Sequence, residues 1–148
     1  MATKRASPLN PGVSKREVWA WAMYDFANSG YTTVVITAVY SAYFVAVVAG
    51  KAAWASFAWS AALAVSYLAI LLSAPLLGAY ADLHGAKKRL LALTTLGCVL
   101  GTAALALPEP GDIALAVTLI ALSNFFFGSG ENLIAAFLPE LARGRTLG

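Results

Sequence analysis

The feature that most constrains the fold is the length of the stretches without a charged side chain. Four such stretches run for 25, 30, 19 and 18 residues, at 26–50, 52–81, 90–108 and 113–130. A hydrocarbon core of ~30 Å needs about 20 mostly apolar helical residues, and the stretches are too long for the strands of a membrane barrel. The sequence therefore predicts an all-α membrane protein with four transmembrane helices, at about 19–50, 52–80, 90–107 and 113–138.

Composition indicates that the chain contacts the lipid bilayer, and it argues against disulfide-rich proteins, zinc proteins and enzymes. Hydrophobic residues make up 60% of the chain and charged residues 11%, whereas a soluble domain carries about 25% charged residues. A single cysteine excludes an internal disulfide framework, and a single histidine excludes a His/Cys zinc cluster. The chain has no nucleophile triad and no phosphate-cradling glycine loop. We therefore expect no enzyme activity, no cofactor and no metal site.

The basic residues predict the orientation. Nine of the ten lie before the first helix, between the second and third, or after the fourth, and an even number of crossings puts these segments on one side. We expect a multi-pass protein of the bacterial plasma membrane with both termini cytosolic. Because the basic residues flank membrane helices, the net charge of +3 does not indicate nucleic-acid binding. Residues 1–16 read as a disordered cytosolic lead-in, and 17–148 as the membrane domain.

The first helix carries a polar stripe. Asp25, Asn28, Ser29 and Thr32 are spaced at i, i+3, i+4 and i+7, which places them on one helical face. One interpretation is that they anchor the helix near cytosolic water. The other is that they face a translocation path, because polar residues inside a membrane usually face a cavity or a partner.

The fourth helix has a second polar face, formed by Asn124, Gly128 and Glu131, with Asn132 adjacent. Glu131 follows Ile113 by 18 residues, or ~27 Å along the axis, which predicts a position near the cytosolic boundary. It would be either a boundary carboxylate paired with a basic loop residue or a gating or proton-coupling carboxylate.

The segment between the second and third helices reads as a tight basic turn. A glycine before it would allow close helix packing, a carboxylate could bind basic groups, and a second glycine permits a positive φ. The residues are Gly78, Asp82, Gly85, Lys87, Lys88 and Arg89. In the third helix, the spacing of Gly97 and Gly101 predicts a helix contact.

This loop resembles a known signature. Its spacing, G-xxx-D-xx-G-x-K-[KR] after a second helix, resembles the loop 2–3 motif of the major facilitator superfamily, although Leu83 and Ala86 stand where that motif usually has basic residues. Residues 21–33 (WAMYDFANSGYTT) resemble the opening of its vacuolar-effluxer-like branch, which includes the fungal autophagy-related vacuolar amino-acid effluxer. Residues 124–140, with their GSGEN centre, are also similar to the family.

The resemblance implies a twelve-helix secondary transporter that moves a small organic solute, amino acids being one class, by alternating access. It implies that Asp82 helps to latch the cytosolic side. Four helices make one three-helix repeat and the first helix of the next. We therefore expect a truncated N-terminal transporter domain, which needs missing C-terminal helices or a second chain to complete a path for its small-molecule substrate.

Two other hypotheses stay open. A compact four-helix exporter acting as a dimer has a similar size, but such exporters centre on a membrane-embedded glutamate in the first helix, where this chain has only Asp25 near the start. A non-transporting membrane scaffold subunit would need no polar stripe.

Overall fold

The computed structural model describes residues 10–141, and this part of the chain is entirely helical apart from turns. The first long helix, α1, runs without interruption over Lys15–Val48. Three further long helices follow it. They are α2 (Ala55–Leu83), α3 (Lys87–Ala104) and α4 (Ile113–Ala135), and a short helix, α5 (Leu138–Leu141), ends the described part.

Three of these helical segments are long and apolar enough to cross a membrane, namely Lys15–Val48, Ala55–Leu83 and Ile113–Leu141. The fourth long helix, α3, has 18 residues and begins with Lys87, Lys88 and Arg89, so fewer apolar residues remain in it. The all-α membrane fold is confirmed. That α3 also crosses the bilayer stays a prediction.

The helix ends differ from the predicted ones by a few residues. Helix α2 ends at Leu83 and α3 begins at Lys87, about three residues beyond the expected ends because charged side chains at a helix terminus can reach the headgroup region. Helix α1 begins at Lys15, inside the predicted lead-in, because Ser14 and Glu17 form a capping box there. Residues 1–9 of that lead-in lie outside the described part.

Helix α1 contains two π-helical segments, Thr32–Ala38 and Phe44–Val48. In the first of them the Thr37 hydroxyl donates to the Thr32 carbonyl at 2.9 Å, a contact spaced at i−5. A π turn holds one residue more than an α turn and is frequent at functional sites. The apolar pattern of this stretch predicts one regular helix and gives no sign of these insertions.

Helix α4 forms the centre of the bundle and packs against α3, α2 and α1. Its contact with α3 is so close that a Cβ at Gly101 would lie 2.9 Å from the Cβ of Ser123, and one at Gly97 would lie 2.7 Å from the ring of Phe126. The predicted packing role of these two glycines is confirmed. On the α2 side, a Cβ at Gly128 would lie 2.5 Å from Cδ1 of Ile70.

The two ends of the bundle differ in charge. We call the end that carries the α2–α3 turn the basic end. There Asn10 ties the start of the described chain to α5, because its Nδ2 donates to the carbonyls of Pro139 (2.9 Å) and Glu140 (2.8 Å). At the opposite end, the Gly111 amide donates to the Val48 carbonyl at 2.9 Å.

Candidate functional site

The structure brings together one residue from each predicted polar face. Nδ2 of Asn28 on α1 donates to Oε1 of Glu131 on α4 at 3.2 Å. The two are 103 positions apart in the chain, so only the fold makes them neighbours. Within residues 10–141 the side-chain partner of Glu131 is therefore an amide, and no described basic residue pairs with it. Arg143 and Arg145, which follow the fourth helix, lie outside the described part, so the predicted pairing with a basic loop residue stays a prediction.

The rest of the α1 stripe is not engaged by α4. Asp25 and Thr32 are exposed, and it is their backbone carbonyls that accept hydrogen bonds, from the Ser29 hydroxyl (3.1 Å) and from Thr37. Asn28 is the member of the stripe that reaches another helix through its side chain. A row of polar groups thus lies on a face of α1 that the described residues leave uncovered.

A buried tyrosine holds α1 against α4 beside this contact. The Tyr31 hydroxyl lies 2.8 Å from Oγ of Ser123, and its ring stacks on Phe127 with centroids 4.5 Å apart. Because Ser123 donates to the Ile120 carbonyl, Tyr31 is the donor of this pair. The sequence analysis missed Tyr31, although an aromatic ring with a polar tip next to a polar stripe was an available signal.

Two further aromatic side chains anchor the basic-end half of α1. Nε1 of Trp21 donates to the Ile134 carbonyl on α4 at 3.0 Å, and the Tyr24 hydroxyl lies 3.0 Å from Oγ1 of Thr95 on α3. Side-chain hydrogen bonds thus account for much of the attachment, since within Lys15–Tyr31 only Tyr31 is buried.

Asn124 lies apart from the Asn28–Glu131 contact. It is fully buried, and its Nδ2 donates to Oγ of Ser66 on α2 at 2.9 Å. Its Oδ1 has no partner among the described residues. The predicted polar face of α4 therefore spans two interfaces, with Asn124 directed to α2 and Glu131 directed to α1.

A groove of about 590 Å³ lies between α1, α3 and α4. Its lining is mostly apolar, but it includes Asn28, Tyr24 and several threonines. Thr94 and Thr95 donate to backbone carbonyls of their own helix. Asn28 is the one amide side chain among the described residues that line this groove.

The basic turn contains a bridging lysine. Nζ of Lys87 lies 3.0 Å from Oδ1 of Asp82 and 2.7 Å from Oε1 of Glu140 on α5. The hydrogen bond to Glu140, and then that to Asp82, raises the pKa of Lys87. We call these three residues the charge bridge. Sequence reasoning missed Glu140, because nothing in the local pattern places a residue 53 positions away beside Lys87.

The two loop glycines behave differently from each other. Gly85 adopts a φ of 58°, a conformation that suits glycine. Gly78 was expected to allow close helix packing, but within residues 10–141 a Cβ added there would meet nothing within 4 Å. The described helices therefore make no close contact at Gly78, and its packing role stays a prediction.

The remaining predicted site residues lie at the surface of the basic end. Lys88, Arg89 and Asn132 are exposed. Lys88 lines a groove of about 440 Å³ that also includes Glu17 and Trp21, and Asn132 lines a small cavity beside Asp82. Neither Lys88 nor Arg89 forms an ion pair within the described part.

The fold and its polar contacts define a helical membrane protein with hydrogen bonds between its first and fourth long helices. The chain matches the family model described as MFS/sugar transport protein over residues 9–144. It therefore belongs to the major facilitator superfamily.

A relative in Bacillus subtilis (strain 168), described as the uncharacterized MFS-type transporter YxiO, is 30% identical over 125 residues. The alignment covers 82% of this chain and 29% of the relative, so the chain spans less than a third of that protein's length. No solved structure matches the chain.

Proposed function

We propose that the chain forms the first part of a secondary active transporter that moves a small organic solute across the membrane by alternating access. The family match over residues 9–144 carries this proposal. It favours a transporter of the major facilitator type over a compact four-helix dimeric exporter and over a scaffold subunit. In that function the chain works with further helices, supplied by the rest of a longer protein or by a second chain.

The solute path would run along the polar side of α1. The stripe supports this, with Asp25 and Thr32 exposed and Asn28 half-buried, because polar side chains at membrane depth usually face protein or water. Asn28 sits where the stripe meets α4. The hydrogen bond from Asn28 to Glu131 would then join the stripe to α4, and replacement of the charged acceptor by a neutral one would weaken this bond.

The charge bridge would close the cytosolic side. Lys87 joins Asp82 on α2 to Glu140 on α5, so a movement of α2 relative to α4 must break at least one of these contacts. Lys15, Arg16 and the basic turn lie at the same end of the bundle, which fits an orientation with this end in the cytosol under the positive-inside rule. A bacterial plasma membrane is the location we propose.

The solute class we propose is a small polar metabolite. The resemblance of residues 21–33 to the vacuolar-effluxer-like branch favours amino acids, whereas the description of the family model names sugar transport. Counterflow in proteoliposomes distinguishes them. Proteoliposomes that contain the protein, expressed from its full reading frame, are loaded with unlabelled amino acids or sugars. Accumulation of the labelled solute inside them is then measured.

The residue-level test is Glu131→Gln, which keeps the shape but removes the charge. We expect the substitution to flatten the pH dependence of counterflow. Glu109→Gln is the matched control, because Glu109 is an exposed carboxylate in the turn at the opposite end. An unchanged pH profile in Glu131→Gln would remove Glu131 from coupling, and an absence of counterflow with both solute classes would contradict the proposed function.

A further inference from the structure

A small cavity lies under the α2–α3 turn, between α2 and α4. Its volume is about 60 Å³, which is enough to hold water, since one water molecule needs about 10–15 Å³ of such space. Alanine and leucine side chains form much of the wall, and Gly78, Asp82, Lys87 and Ser129 also line it. Asn132 lines the same space.

The buried hydroxyl group of Ser129 indicates that the cavity holds a ligand. Its side chain is 2% exposed, and its Oγ has no hydrogen-bond partner within residues 10–141. A buried hydroxyl without a partner is costly, and buried polar groups of this kind are usually satisfied by protein or by ordered water. Since Ser129 lines the cavity, a molecule inside it can supply the missing partner.

The opposite wall can hold the same molecule. Oδ1 of Asp82 accepts from Lys87 at 3.0 Å, and an ionised carboxylate has about four acceptor sites, so Asp82 can also accept from water. Lys87 lines the same space. Its positive charge disfavours a cation in this space and leaves water as the small ligand that can both donate to Asp82 and bond to Ser129.

Gly78 keeps the space free. A Cβ at this position would meet nothing within 4 Å, in contrast to Gly97, Gly101 and Gly128, where it would meet an atom at 2.9 Å or less. Because Gly78 lines the cavity, a methyl group there would take up part of the space. Within residues 10–141 the glycine thus leaves free volume where an alanine would place a methyl group.

We propose that this cavity is a water-binding site in which ordered water joins the Ser129 hydroxyl on α4 to the Asp82 carboxylate on α2, with Gly78 leaving the room it needs. The site goes beyond transport and beyond the charge bridge, because it couples α2 to α4 through solvent even when Lys87 is removed.

Water-to-amide magnetisation transfer in the chain, reconstituted in nanodiscs, tests the site directly. Long-lived water should give cross-peaks to amides around Ser129 and Asn132, and Gly78→Ala should reduce them at least twofold. Gly30→Ala is the matched control, since a Cβ at Gly30 also meets nothing within 4 Å and the gain in helix propensity is the same. Retention of the signal in Gly78→Ala, or its absence in the unmodified chain, would overturn the proposal.

Thermal unfolding of the same variants gives an independent measure. We expect Gly30→Ala to raise the melting temperature and Gly78→Ala to raise it less or to lower it. In a Ser129→Ala background, which removes the hydroxyl, the two substitutions should have the same effect. Equal effects in both backgrounds would contradict a role for water.

A salt series separates water from a cation. If the cavity bound a small cation, added Na⁺ or Li⁺, but not choline, would raise the melting temperature with saturation and Ser129→Ala would abolish this rise. That result would overturn the assignment to water. Identical curves in the three salts are expected if water is the ligand.

Discussion

Helix α4 packs against α2 and α3 in one way, and the basic-end half of α1 (Lys15–Tyr31) is attached in another. Helix α4 meets its neighbours at glycines, where a single added methyl group would clash. The segment Lys15–Tyr31 buries one side chain, Tyr31, and is held by hydrogen bonds from a few side chains. Close packing thus fixes one region, and separate polar contacts fix the other.

This difference indicates which element can move. In lipid, helix association depends on packing and on interhelical hydrogen bonds, because burial of apolar surface gives little advantage there. A region held by separable hydrogen bonds can open without disrupting the packed centre. The segment Lys15–Tyr31 is therefore the part of α1 best suited to change position, with α4 as the fixed reference.

The largest effect is expected from Gly101→Ala, which tests the packed region. The new Cβ would lie 2.9 Å from the Cβ and 3.1 Å from the Cα of Ser123, and backbone cannot move aside as a flexible side chain can. We expect a loss of about 1–3 kcal/mol in the free energy of unfolding, measured by denaturant titration in micelles. Gly30→Ala, at an open position, should be neutral or stabilising, and equal losses for both would refute the distinction.

Removal of one hydroxyl group tests the attachment of α1. Tyr31→Phe keeps the stacking on Phe127 but deletes the buried hydrogen bond to Ser123. We expect a loss of about 1 kcal/mol in the same unfolding assay. Tyr80→Phe is the control, because the Tyr80 ring is 51% exposed. A Tyr31→Phe variant as stable as this control would mean that the hydrogen bond does not hold α1.

Hydrogen exchange sharpens the comparison without substitutions. Amides of the π segment Thr32–Ala38 should exchange about threefold faster than those of residues 65–71 in α2, corresponding to ~0.6 kcal/mol, because π-turn geometry is less regular. Mass spectrometry of the chain in nanodiscs measures both segments together. Slower exchange in the π segment would place the flexible part of α1 elsewhere.

The smallest effect concerns the charge bridge and its pH dependence. The folded-state pKa of Lys87 is raised, first by Glu140 and then by Asp82. On the alkaline side, its contribution is fully present below the ordinary lysine pKa and is lost as pH rises through the raised value. A spin-label distance between positions 84 and 141 should therefore stay constant from neutral pH upwards and lengthen only at strongly alkaline pH. Lys87→Gln should remove that alkaline transition, and lengthening near pH 8 would contradict the assignment.

Charge spacing was enough to predict the four long helices and their order, because a membrane leaves few alternatives for long uncharged stretches. Helical periodicity also grouped Asn28 with its stripe and Glu131 with its own face. It could not predict that these two residues meet, since that depends on how α1 and α4 are rotated relative to each other. The same limit applies to Glu140 beside Lys87 and to Ser66 beside Asn124.

Other features had no readable signal in the sequence. Gly78 belongs to a motif that suggests close packing, yet no described residue would contact a Cβ there, and the sequence pattern is the same in both cases. The π segments of α1 are formed by ordinary apolar and hydroxyl residues. The first π segment follows Tyr31, which bonds to Ser123, and the second ends at Val48, whose carbonyl accepts from the Gly111 amide.

The π turns of α1 have a consequence for comparing this protein with its relatives. Each adds a residue without adding a turn, so a relative with a regular α-helix here would reach the same depth with fewer residues. A one-residue gap inside a transmembrane helix, which alignment methods normally penalise, would then be the correct alignment. Residues after Thr32–Ala38 that are paired without such a gap would be assigned to the wrong side of the helix, and covariation between α1 and other helices would be lost.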